Sequence, residues 1–173
     1  MTAPPLDRAA LDDLDQATIV DHDRAPRNAG RLADATHRAS VDNPLCGDVV
    51  AVDLRLADGA IADLRCEARG CALARAAASI MSTIVRGQAP ADARALAADL
   101  QRFVDSAPDA AIPAHLGELR AFAGVRSFRS RRGCVALAFR ALEHALDHAI
   151  DQARDDAATH DVRGSAAARD RDP

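Results

Sequence analysis

The chain is predicted to be an α+β domain in which a small three-stranded antiparallel sheet packs against several helices. Three observations predict this. Helical spacing of apolar residues near the start gives way, around residue 35, to strict alternation. The alternation recurs in three short runs divided by turn residues. From residue 71 onward the helical period returns, broken only at Gly and Pro positions. An order of helix, strand cluster, then helices fits an α+β domain, and 173 residues suffice for one core with loose ends.

Residues 1–5, with Pro4 and Pro5, are expected to be disordered, and the folded domain to span 6–150. A first helix is expected over about 6–24, where Leu11, Leu14, Thr18 and Ile19 keep helical spacing until Pro26, Asn28 and Gly30 end it. Ala35, His37, Ala39 and Val41 then alternate with Thr36, Arg38, Ser40 and Asp42 as a first strand. After Cys46-Gly47, Val50, Val52, Leu54 and Leu56 form the inward face of a second. Asp58-Gly59 is a strong hairpin turn, and Ala62, Leu64, Cys66 and Ala68 share one face of a third strand. Four helices should follow: Cys71 to Val85, about Asp92 to Val104, about Ala114 to Phe122, and about Gly133 to Ile150. Residues 151–173 lack periodicity and are expected to be a disordered tail.

Composition excludes several functions. Hydrophobic residues make up 49%, much of it alanine, so the core is built from small side chains. Net charge is -4, and the 22 basic residues are all arginine. That leaves no basic footprint for nucleic acid and no polybasic membrane anchor. No run of 18 apolar residues could span a membrane. The acidic start, MTAPPLDRAALDDLD, has no signal-peptide apolar stretch, which points to a cytoplasmic protein. Structural disulfides are unusual there, so the four cysteines are core filler, catalytic thiols or metal ligands.

Their positions differ. Cys46 lies in a turn with Asp48 two residues on. Cys71 follows Gly70 and Cys134 follows Gly133, each at an expected helix start, where free N–H groups favour a thiolate. Arg131 and Arg132 push Cys134 the same way. Cys66 shares a strand face with Leu64 and reads as a small buried hydrophobe. Intervals of 25 and 63 residues separate Cys46, Cys71 and Cys134, unlike the local pairs of zinc fingers, so a shared site would need the fold to gather them.

Four stretches and one spacing carry a resemblance. They are DHDRAPRNAGRL, NPLCGD, ARGCALARAAASIM, GVRSFRSRRGCVALAF and the long second cysteine interval. Together they resemble the iron–sulfur assembly scaffolds of the IscU and NifU N-terminal type, and within them the SufU branch, over about residues 10–150. Several positions depart from that pattern. Ala68 stands for a glycine, Cys66 for an aromatic residue, Ala72, Ala74 and Ala77 for serines, and Phe139 for a tryptophan. Gly133 stands where a lysine or histidine is usual, which removes one possible side-chain ligand and leaves Asp48 as the fourth.

The resemblance implies a SufU/IscU-like fold and a zinc ion held by Cys46, Asp48, Cys71 and Cys134, with Arg131 offsetting excess negative charge. It implies that Cys46 accepts sulfur from a SufS-like cysteine desulfurase for downstream SUF cluster assembly proteins. The alternative it implies is a scaffold on which iron is built into a 2Fe-2S cluster. Elsewhere, His144 and His148 read as a solvated helix face, His37 as a satisfied half-buried histidine, and Met81 as core. His22 and Arg27 are either partner contacts or local caps.

Overall fold

The computed structural model describes residues 8–148, with side chains from residue 15. The expectations for 1–5 and 151–173, and the outer ends of the first and last helices, fall outside the described residues. The elements are α1 (Arg8–Arg24), β1 (His37–Asn43), β2 (Asp48–Ala57), β3 (Ala60–Arg69), α2 (Ala72–Ile84), α3 (Pro90–Asp105), a 3-10 segment (Ala114–Ser127) kinked at Gly117, and α4 (Arg129–Asp147). The sheet is antiparallel in the order β1-β2-β3, as the alternation predicts.

The inward face of the sheet carries Val50, Val52, Leu54 and Leu64, all fully buried. Each such side chain contributes roughly 1.5–3 kcal/mol relative to exposure. Helices α2 and α4 lie over this face. The small residues of α2, Ala74, Ala76, Ala77 and Ala78, are buried against its neighbours, and Met81 is core. Phe122 of the 3-10 segment and Phe139 of α4 supply bulk that alanine cannot. Because strand residues alternate, Asp48 at the head of β2 shares the inward face with Val50 and Val52.

Two expectations are corrected. In β3 the inward residue near the hairpin is Ile61, fully buried, while Ala62 is exposed. Pairing slips there: Arg55 faces Asp63, but Leu56 faces Ile61, so Ala62 is the extra residue of a bulge. Helix α4 starts at Arg129, four residues before Gly133, so Cys134 sits in its second turn.

The segment after α1 folds back as a strap along the outer edge of β3. Cys66 N–H bonds Asn28 O at 2.9 Å, and Gly30 N–H bonds Cys66 O at 3.0 Å. Asp53, on the outer face of β2 yet 1% exposed, is satisfied by Arg38, Arg31 and the Leu32 N–H. The strap is pinned to α2 through Ser79, whose hydroxyl accepts the Arg27 N–H at 2.8 Å and lies 2.7 Å from His22 Nδ1. His22 and the Arg27 main chain therefore brace the fold. His144 and His148 are exposed, with rings stacked, and His37 is half-buried beside the Thr36 hydroxyl.

His22 has a consequence for pH. Ser79 Oγ accepts the Arg27 N–H and still has its own proton to give, so a neutral His22 ring with a bare Nδ1 can take it across the 2.7 Å contact. Burial first, then the Arg27 charge, hold this imidazole below its ordinary value, against opposing pulls from Glu118 and Asp21. A histidine whose folded pKa is depressed stabilises the fold above its unfolded pKa. That stability is lost as pH falls from about 6.5 toward the folded value. Urea unfolding at about pH 7.5 and about pH 5.5 should show lower stability in acid, with a smaller difference in His22→Gln.

Candidate metal centre

The turn between β1 and β2 carries Cys46. Asn43, 6% exposed, organises it: its Oδ1 accepts the Leu45 N–H at 3.2 Å, and its carbonyl accepts the N–H groups of Cys46 and Gly47 at 3.2 and 2.8 Å. Gly47 has φ 74°, which lets the chain reverse so that β2 starts at Asp48. Sequence reasoning missed Asn43 as the turn's organiser. Its signal was an Asn three residues before a Cys-Gly turn, the setting of an Asx turn.

Gly70 brings the second cysteine in. Its φ of 138° suits glycine, and a Cβ there would overlap the Asp48 carboxylate, coming within 2.8 Å of Asp48 Cβ. Cys71 caps α2 with extended φ and ψ, as expected. Its N–H bonds Asp48 Oδ1 at 3.0 Å, and its Sγ lies 3.1 Å from Asp48 Oδ2. Cys134 comes from α4, fully buried, with its Sγ 3.8 Å from Cys46 Sγ. Gly133 passes close to the turn, where a Cβ would lie 3.2 Å from the Asn43 amide nitrogen.

All four expected side chains thus meet. Donor atoms of Cys46, Asp48 and Cys134 lie within 4.8 Å of one another, and Cys71 joins through Asp48. Arg131 is exposed, and among the described residues its guanidinium makes no ion pair. Cys66 stands apart on β3, where burial pushes its thiol up to about 12.

Electrostatics set the roles of the four. Burial alone would raise the Asp48 carboxyl. Hydrogen bonds from the thiols of Cys71, Cys46 and Cys134 and from the Cys71 N–H outweigh it, and the net direction is down. Cys134 is pushed the other way, chiefly by burial and then by the neighbouring Asp48 carboxylate. The expected lowering at a helix start does not apply, because in the second turn the helix N–H groups are already used.

The donor set fits a thiophilic dication. A tetrahedral zinc with Zn–S distances of about 2.3 Å has a sulfur–sulfur edge of about 3.8 Å, and the Cys46–Cys134 separation is 3.8 Å. Three thiolates and one carboxylate also suit the ion's preference for sulfur with a tolerated oxygen.

Fold and site together define a class: an α+β domain that draws three sulfurs and one carboxylate from distant segments to a single point. The chain belongs to the NifU-like N terminal domain family, whose model matches residues 14–135. It is similar to the iron-sulfur cluster assembly scaffold protein IscU of Streptococcus pyogenes, at 33% identity over 78% of this chain and 84% of that one. It is similar as well to the zinc-dependent sulfurtransferase SufU of Bacillus subtilis, at 32% identity over 78% of this chain and 90% of that one. Among solved structures, the N-terminal NifU-like protein from Brucella abortus matches with a TM-score of 0.71 and 27% identity, over 79% of this chain and 94% of that one. Among the described residues, no helix is long and apolar enough to cross a membrane.

Proposed function

We propose that this protein serves iron–sulfur cluster assembly by accepting sulfur at Cys46 from the persulfide of a SufS-like cysteine desulfurase, for delivery to downstream SUF assembly proteins. The observation that carries this reading is the contrast among the clustered thiols. Cys46 is exposed on a turn, Cys71 is half-buried at a helix cap, and Cys134 is fully buried. Of the three, Cys46 is the most open to a partner.

Cys46, Asp48, Cys71 and Cys134 would hold zinc, which when bound keeps the thiols deprotonated and shields them from oxidation. The Cys46 thiolate attacks the outer sulfur of the partner's persulfide. A new sulfur–sulfur bond forms on Cys46, the partner's sulfur–sulfur bond breaks, and its electron pair leaves with the partner's cysteine thiolate. No oxidant is consumed. Asp48, fixed by the Cys71 N–H, keeps a carboxylate beside the sulfurs throughout. Arg131, one helical turn before Cys134, would offset the excess negative charge.

The test is mass spectrometry after incubation with desulfurase and cysteine. One added sulfur on Cys46 is expected, and sulfur found only on another cysteine would refute the assignment. A second reading, a scaffold for a 2Fe-2S cluster as cargo, draws on the same donors and on the relative named as a scaffold. Anaerobic purification separates the two: colourless protein containing zinc supports sulfur transfer, and brown protein containing iron supports the scaffold. Asp48→Ala should weaken zinc retention at least about tenfold against a competing chelator, whereas unchanged retention would remove Asp48 from the ligand set.

A further inference from the structure

We propose that the cavity beside the edge of β3 is a binding site for a small carboxylate with an apolar body. The cavity measures about 230 Å³ and lies between the strap, the end of β3 and α2. Cys66, Ala68 and Ala78 line it, and Arg27, Arg69 and Arg75 border it. None of the four clustered side chains lines it, and its assignment does not depend on the sulfur-transfer reading.

Three observations combine. The space exists because small residues meet there: Ala29, Gly30, Cys66, Ala68 and Ala78. An apolar cavity of about 150 Å³ takes a benzene molecule, so this one holds a ring or branched chain with a short acidic arm. The bordering charges are unequally matched. Arg27 is paired with Asp21, and Arg75 with Asp23 at 2.6 Å. Glu67, also on the lining, is paired with Arg31. Arg69 has no ion pair or side-chain hydrogen bond among the described residues. Its planar guanidinium can take one carboxylate through two hydrogen bonds. One unmatched cation over a small apolar chamber selects a monoanion over a neutral or cationic ligand. Cys66 is a wall and not a nucleophile, since its buried thiol stays protonated at neutral pH.

The experiment titrates the full chain with phenylacetate, followed by backbone amide NMR, with toluene as the uncharged comparison. Saturable shifts at Ala68, Ala78 and Ser79 are expected. Cys66→Phe, which fills the chamber, should abolish them, and Ala68→Leu does the same from the strand should the first variant fail to fold. Arg69→Ala should weaken phenylacetate about tenfold or more and leave toluene unchanged. Absence of saturation, or saturation that survives filling of the chamber, overturns the site. Phenylacetate affinity indifferent to Arg69→Ala overturns the carboxylate assignment.

Discussion

Cys46→Ala is expected to return a cysteine desulfurase assayed with this protein to its unassisted rate. The loss should be complete, because no neighbouring thiol can substitute. Cys71 is tied to Asp48 by both its N–H and its Sγ at the cap of α2, and Cys134 is sealed beneath the turn. Moving either outward would mean unwinding helical backbone, the cap of α2 for Cys71 and the first two turns of α4 for Cys134. Cys46 instead rides the turn between β1 and β2 held by Asn43, with Leu45 beside it 94% exposed. The assay follows alanine release at matched protein concentration, with zinc measured in parallel because the substitution also deletes a ligand. Undiminished turnover in the variant would end the acceptor role whatever the zinc content.

Gly70→Ala should be the most damaging single-methyl change near the site. Two costs add. Alanine at φ 138° carries about 1–3 kcal/mol of backbone strain. The new methyl also overlaps the Asp48 carboxylate, which is clamped by the Cys71 N–H and cannot step aside without leaving that donor unpaired. Crowding in a packed site adds roughly 1–3 kcal/mol. Expected together are a clear drop in thermal stability and loss of bound zinc. Gly47→Ala is the contrast: it meets nothing within 4 Å, so it should cost only its backbone strain. A Gly70→Ala protein with normal stability and zinc would show that Asp48 is freer than its contacts indicate.

Much of this was legible in the sequence, for physical reasons that also mark where legibility stops. Val50, Val52 and Leu54 alternate because one sheet face is buried, and alternation is a local signal. The Ala62 bulge was hidden because Ala60, Ala62, Leu64, Cys66 and Ala68 form an unbroken apolar parity, and only the pairing of Leu56 with Ile61 reveals that the inward face switches near the hairpin. The start of α4 was misplaced because RSRRG reads as a polar loop ending in glycine. In the fold, the break comes at Phe128, and the arginines extend from the helix into solvent or to Arg126 and Asp105. Spacing alone left the convergence of Cys46, Cys71 and Cys134 open, and the resemblance supplied it. What neither supplied was the clamp on Asp48, because it depends on a missing side chain at Gly70. The low thiol pKa expected for Cys134 depended on a helix boundary and moved with it.

The strap from Asn28 to Gly30 has a wider effect. A ten-residue border strand such as β3 is a natural template for recruiting further chains, and runaway stacking of that kind ends in aggregate. By occupying the hydrogen bonds of Cys66, the strap closes the middle of that template from within the same polypeptide. The protein can therefore display an exposed, chemically active turn at one end of its sheet without offering the length of β3 to another copy of itself.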